Sequence, residues 1–334
     1  MPMEGVNQGP FGSLVRQLYG VNNADNNALF SEQGQAALRD VLILYRDAGA
    51  NIGGAPTFRL TDLRARSRVD KDWEYNSGAD LSLDPVTVAR NRAAVSIARD
   101  VFGRDGFVAG LVSPVTKTSG GHDDRWKSLG DNQVDWAFQR QRPQIRVLQE
   151  TGVDAIWGEA FRYQGEAIAL ARVVRETRSR VLVVCFESNE GKFPDPQAGE
   201  GYGFAEMKAD LQREAGSDVE VMIGVNCTGV SSVRRIIEGG AQLDVVYPNT
   251  LDFGEVSVDV KTEFVRLAEK PNRNAAEEVR YQKLIDDLFT RDADFEKVWK
   301  QCLETGVKVT GVCCGGTPDL VKKARAVYDA KHKS

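Results

Sequence analysis

The chain has 334 residues, 42% hydrophobic and 27% charged, enough for one large globular core or two small ones. A formal net charge of -5 excludes the basic footprint of a nucleic-acid or anionic-membrane binder, so neither partner is expected. With only two histidines, His122 and His332, the chain has almost no material for a histidine base or a multi-histidine metal site.

No apolar run reaches transmembrane length, and Met1-Pro2-Met3-Glu4-Gly5 lacks the basic and apolar parts of a signal segment, so a cytoplasmic location is expected. Five cysteines, an odd number in a chain this long, point to a reduced intracellular protein and not a disulfide scaffold. Residues 1–10 show no strand pattern, and 11–18 read as a short helix. Ser31 is a cap for a helix over 33–48, with Ala37, Val41, Leu44 and Tyr45 at helical spacing. Residues 50–56 form a small strand, and the charged, irregular stretch 59–84 a surface excursion. Asp84-Pro85 opens a helix that runs to Val101, then a buried strand covers 107–114. A polar loop over 116–132 leads to a helix over 134–150.

From there strands and helices alternate. Strands over 155–159, 181–186, 219–226, 243–247 and 307–312 are separated or followed by helices over 165–176, 204–215, 230–237 and 319–328. Strands that are apolar on both faces and alternate with helices imply a parallel sheet covered by helices. Seven strands centre near residues 51, 108, 156, 183, 222, 245 and 309, and an eighth near the N-terminus would close them into a barrel. No glycine-rich dinucleotide fingerprint or phosphate loop follows any strand, which argues against a nucleotide-binding open sheet. The expected fold is therefore an α/β (β/α)8 TIM barrel, one domain over 1–334, with its active face at the C-terminal ends of the strands. Residues 251–306 exceed one crossover and hold extra helices over 258–269, 275–289 and 295–305, either padding or a homo-oligomer contact.

Three cysteines sit where strands end. Val307–Val312 is an apolar run that stops in Cys313-Cys314-Gly315-Gly316, and 219–226 stops in Cys227. Neighbouring side chains alternate along a strand, so adjacent sulfurs converge only where the strand has ended and the backbone bends, as glycines permit. Three thiolates at strand ends suit a soft divalent metal, with Zn2+ the leading candidate. Cys185, inside a strand, and Cys302, on a helix, read as packed thiols, and His122 as a solvated loop residue.

Gly224-Val225-Asn226-Cys227 together with Val312-Cys313-Cys314-Gly315 resembles the paired strand ends of the homocysteine S-methyltransferase family. Asp154–Glu159, Tyr247-Pro248-Asn249 and Ala48–Ile52 with Pro56-Thr57-Phe58 are similar to other family segments in the same order. The resemblance implies a zinc barrel enzyme that moves a methyl group from a donor (S-methylmethionine, S-adenosylmethionine or betaine) to the thiol of homocysteine, giving methionine. It implies Cys227, Cys313 and Cys314 as zinc ligands that activate the thiol, and Glu159 as the partner of the substrate's ammonium group. Asn249 lies near the metal in this alignment, and Thr57 and Gly12 fall on its substrate-binding segments. Departures concern the amino-acid pocket. The family's opening Asp-Gly-Gly is here Gln8-Gly9-Pro10-Phe11-Gly12-Ser13, its Thr-Asn-Thr is Ala55-Pro56-Thr57, and its Glu-Thr is Glu159-Ala160. These changes keep two further readings open: the same zinc chemistry on another small thiol, and a non-catalytic barrel with a structural zinc.

Overall fold

The structure, a computed structural model, describes residues 3–7, 31–60, 83–103, 106–116, 126–127, 129–188, 192–195, 202–252, 258–270, 273–288 and 290–333. Gly12, His122 and the helix expected over 11–18 lie outside these residues. Eight parallel strands form one sheet: β1 (Gly5–Val6), β2 (Ile52–Ala55), β3 (Phe107–Val112), β4 (Ala155–Phe161), β5 (Val181–Phe186), β6 (Glu220–Asn226), β7 (Val245–Tyr247) and β8 (Val309–Thr310). They follow one another around the sheet, and β1 pairs with β8 through Gly5 with Val309 and Val6 with Thr310. A parallel bridge between Asn7 and Ile52 joins the remaining edges. The result is the nearly closed (β/α)8 barrel that the alternating pattern predicts.

The eighth strand is where the sequence reading needs correction. Residues 1–10 carry no alternating run because β1 is only two residues long and is held by a side chain. Asn51 Oδ1 accepts from Val6 N at 2.8 Å, and its Nδ2 donates to Glu4 O at 3.1 Å. The Asn51 amide so occupies the space beside Gly5 that a Cβ there would lie 2.2 Å from Oδ1. Gly5 also takes a φ of 147°, open to glycine alone, so this seam depends on one glycine and one asparagine.

The helices are α1 (Glu32–Asp47), α2 (Pro85–Phe102), α3 (Gln133–Thr151), α4 (Gln164–Thr177), α5 (Phe204–Ala215), α6 (Val230–Glu238), α7 (Val258–Glu269), α8 (Ala275–Leu288), α9 (Asp292–Glu304) and α10 (Pro318–His332). Their starts follow local chemistry. Ser31 Oγ accepts from Gly34 N, Asp84 Oδ1 accepts from Val86 N and Thr87 N, and Thr317 Oγ1 accepts from Leu320 N. Each such cap satisfies donors the helix leaves unpaired, typically worth ~1 kcal/mol. Among the described residues three helices, α7, α8 and α9, stand between β7 and β8, in keeping with the length of that region. The inward stripe of α4 (Ala167, Leu170, Ala171, Val173 and Val174) is fully buried against the strands. Burying a side chain the size of Leu170 contributes about 1.5–3 kcal/mol. Trp126 and Trp136 join a satellite core: Trp126 stacks on Tyr163 at 5.2 Å, with Trp136 edge-on at 6.3 Å. Packing accounts for both indoles.

One buried carboxyl ties the loop after β3 to α4. Glu166, 0% exposed, accepts from Thr116 N at 2.7 Å and from Thr116 Oγ1 at 2.9 Å. Burial pushes its pKa up to about 7, against the opposing bonds from Thr116 and Val115 and with a smaller push from Asp195. A carboxyl whose folded pKa lies above its unfolded 4.5 stabilises the fold most below 4.5, and the advantage fades until pH passes about 7. Urea denaturation should thus show wild type losing on the order of 1–3 kcal/mol more than Glu166→Gln between pH 4.5 and 7.5. The amide mimics the protonated acid; parallel losses in the two proteins would show that Glu166 is charged throughout.

Candidate active site

Cys227, Cys313 and Cys314 come together at the C-terminal ends of β6 and β8, their sulfurs all within 4.8 Å of one another. Cys227 Sγ lies 2.9 Å from Cys313 Sγ and 3.9 Å from Cys314 Sγ. Ligands 2.3 Å from a tetrahedral zinc stand about 3.8 Å apart, so the Cys227–Cys314 spacing already suits a metal and the Cys227–Cys313 pair would open by about 1 Å. Cys313 is buried, Cys227 half-buried and Cys314 exposed, which grades the cluster from the barrel interior to solvent. The cysteines at 185 and 302 are fully buried, the packed thiols that their surroundings predict.

The backbone makes the convergence. Cys227 itself takes a left-handed φ of 51°, so the turn after β6 is made by the cysteine and not by the following glycine. At the other strand end the bend belongs to Gly315, with φ 81°, where a Cβ would sit 1.9 Å from Thr250 Oγ1. The β7 end locks both cysteines in place: Cys313 N donates to Pro248 O at 2.8 Å, and Thr250 N to Cys314 O at 3.0 Å. Asn249, between these anchors, has a buried Oδ1 that accepts no hydrogen bond among the described residues. A buried, unpaired amide oxygen on the segment whose backbone is bonded to Cys313 and Cys314 has the chemistry of a cation ligand.

The thiols hydrogen-bond to one another, and this divides them. Cys227 is raised well above its ordinary value because its contacts with the Cys313 and Cys314 sulfurs favour its protonated form and it is buried. Cys313 accepts from Cys227, yet donation to Cys314 and burial leave it raised. Cys314 is lowered because its contacts with Cys227 and Cys313 favour its thiolate form. The cluster has the composition of a soft-metal donor set.

Glu159 sits on β4 at an irregular register between Gly158 and Phe161, where Ala160 adopts a φ of 58°. Such a bulge re-aims a side chain at a barrel rim. Gly158 faces the outer helices, since a Cβ there would lie 2.8 Å from Leu170 Cδ2, so Trp157 and Glu159 face inward. Glu159 Oε1 accepts from the Tyr247 hydroxyl at 3.0 Å. Burial raises its pKa to about 7; the Tyr247 bond opposes this and Cys314 adds to it.

Thr57 lies at the end of β2, fully buried, and donates its hydroxyl to Leu111 O at 2.8 Å, a bond that joins the ends of β2 and β3. Gly12 lies outside the described residues. The site also contains residues the pattern did not reveal. Asn226 Oδ1 accepts from Ala160 N at 2.8 Å, while its Nδ2 reaches Cys227 Sγ at 3.5 Å and Cys313 Sγ at 3.8 Å. One amide therefore links the strand end that carries Glu159 to two of the thiols. Its place before Cys227 was visible in the sequence; its partners, 66 and 87 residues away, were not.

A family model described as homocysteine S-methyltransferase matches residues 8–328. Homocysteine S-methyltransferase 1 of Arabidopsis thaliana is 24% identical over 324 residues, covering 93% of this chain and 90% of that protein. S-methylmethionine–homocysteine S-methyltransferase BHMT2 of Pongo abelii is 26% identical over 271 residues, 77% of this chain and 64% of that protein. The metallated form of the homocysteine methyltransferase MmuM from Escherichia coli superposes with a TM-score of 0.62 at 17% identity, covering 97% of this chain and 96% of that structure.

Proposed function

The chain belongs to the homocysteine S-methyltransferase family and is a methyltransferase of that type, and on this premise we propose that it carries zinc and methylates the thiol of homocysteine to give methionine. The observation that carries the proposal is the meeting of three cysteine sulfurs within 4.8 Å, at the barrel rim that also bears Glu159. Cys227, Cys313 and Cys314 would hold the ion, and Asn249, on the segment bonded to Cys313 and Cys314, would offer it a neutral oxygen. Bound there, zinc supplies the removal of the substrate thiol's proton, since a thiol with pKa about 8.5 is mostly protonated at neutral pH.

The rest falls to the chain's own residues. Glu159 takes the substrate's ammonium group and so fixes where the sulfur arrives. Asn226 holds that strand end and the thiols at a constant separation, which keeps the acceptor in line for the donor's methyl carbon. The carbon–sulfur bond forms as the donor's methyl bond breaks, its electron pair leaving with the donor; no side-chain base is needed, in keeping with the scarcity of histidine. The donor class that suits such a transfer is a sulfonium or ammonium: S-methylmethionine, S-adenosylmethionine or betaine. We take residues 1–334 as one catalytic domain. Its five reduced cysteines suit a cytoplasmic setting, and among the described residues no helix is long and apolar enough to cross a membrane.

The test is direct. Zinc-loaded protein is incubated with homocysteine and each donor in turn, and methionine is measured. Methionine with at least one donor, absent without protein, is expected. No product from any donor while other small thiols are methylated would replace homocysteine as the acceptor; no transfer to any thiol would leave a non-catalytic zinc barrel.

A further inference from the structure

Glu159 does not stand alone. Its Oε1 is bound by the Tyr247 hydroxyl at 3.0 Å, and the Tyr247 oxygen is itself bound by Trp157 Nε1 at 2.8 Å. Trp157 lies two residues before Glu159 on the same inward face of β4, while Tyr247 reaches across from β7, three strands away around the barrel. The chain of bonds therefore spans the lumen beneath the mouth. Tyr247 is 2% exposed and Trp157 0%, their rings 5.9 Å apart and edge-on, so neither polar group has water as an alternative partner.

The direction of the bonds follows from the atoms. An indole N–H only donates, so the Tyr247 oxygen must accept from it. The hydroxyl's single proton is then free to be given elsewhere, and the carboxylate is the strongest acceptor within reach. Cys185, from β5, also touches this hydroxyl, but a thiol sulfur is a weak acceptor beside a carboxylate. One carboxylate oxygen is thereby pinned. The other, Oε2, accepts no hydrogen bond among the described residues, and Glu159 retains partial exposure at the rim. A carboxylate held by one oxygen and open at the other is prepared for a cation from the mouth side.

We propose that Tyr247, oriented by the Trp157 indole, is a positioning residue that aims the Glu159 carboxylate at the α-ammonium group of the thiol substrate and so sets the preference for an amino-acid thiol. This rests on the reading of Glu159 as the ammonium-binding group. It makes Tyr247 and Trp157 determinants of specificity rather than of methyl transfer itself.

The experiment compares homocysteine with 4-sulfanylbutanoate, the same thiol without the amino group, by calorimetric titration of zinc-loaded protein and by a kcat-against-KM split. In Tyr247→Phe the affinity ratio of the two thiols is expected to fall about tenfold, the worth of a hydrogen bond to a charged group. The loss should appear in KM for homocysteine and not in kcat. Glu159→Gln should collapse the same ratio, and the double variant should lose no more than Glu159→Gln alone. An equal weakening of both thiols in Tyr247→Phe, or of neither, would overturn the proposal and leave Tyr247 as packing. A ratio preserved in Glu159→Gln would instead remove the underlying reading of Glu159, which separates the two failures. Should Tyr247→Phe not fold, judged by circular dichroism and zinc content, Trp157→Phe decides. That variant keeps the tyrosine hydroxyl but frees its proton from direction, so the ratio should fall about threefold, and an unchanged ratio overturns the proposal.

Discussion

Protein purified without chelator should carry about one zinc ion per chain, and the Cys313→Ser, Cys314→Ser variant should carry none. Three sulfurs within 4.8 Å provide a soft donor set, whereas two serines leave Cys227 with hydroxyls that do not ionise at neutral pH. Serine is nearly isosteric with cysteine, and the bonds that place this turn run through the backbone, from Cys313 N to Pro248 O and from Thr250 N to Cys314 O. The variant should therefore keep its circular dichroism while metal and turnover vanish together. X-ray absorption of the wild-type zinc should then count three sulfurs, rising to four when homocysteine is added. Zinc that stays at three sulfurs would mark a structural ion, and protein with no zinc in either form would remove the proposed chemistry altogether.

Glu159→Gln should lower kcat/KM for homocysteine about a hundredfold, the scale of removing one partner of a desolvated charge pair. Most of the loss belongs in KM, because the carboxylate contacts the amino end of the substrate and the methyl group moves at the other. Gln keeps the acceptor for the Tyr247 hydroxyl, so the chain from Trp157 to Tyr247 survives and packing is not the cause of the loss. Zinc content should be unchanged. A fall in kcat at constant KM would place Glu159 in the transfer step instead, and no change in either would take it out of the site.

How much of this was legible beforehand differs from element to element. The strands from β3 to β7 were readable because each is an apolar run buried on both faces, and such runs separated by amphipathic helices leave few architectures open. β1 was not readable: two residues cannot show a period, and the strand exists only because the Asn51 amide and β8 complete its bonds. The expectation that glycine permits the bend after the adjacent thiols held at Gly315, whereas at the other strand end Cys227 takes the left-handed conformation itself. Nothing in the local sequence demands that of a cysteine; the packed surroundings impose it.

The barrel, the two strand ends that carry thiols and the family are legible along the chain, because periodicity and short-range spacing are properties of consecutive residues. Which atoms meet depends on how the chain closes on itself. Asn226 touches Ala160 N 66 residues upstream and Cys313 Sγ 87 residues downstream, and Tyr247 reaches Glu159 across 88 residues and the barrel lumen. Closure of the ring sets those distances: eight strands brought side by side turn separations of tens of residues into hydrogen bonds, and no window along the chain contains that information.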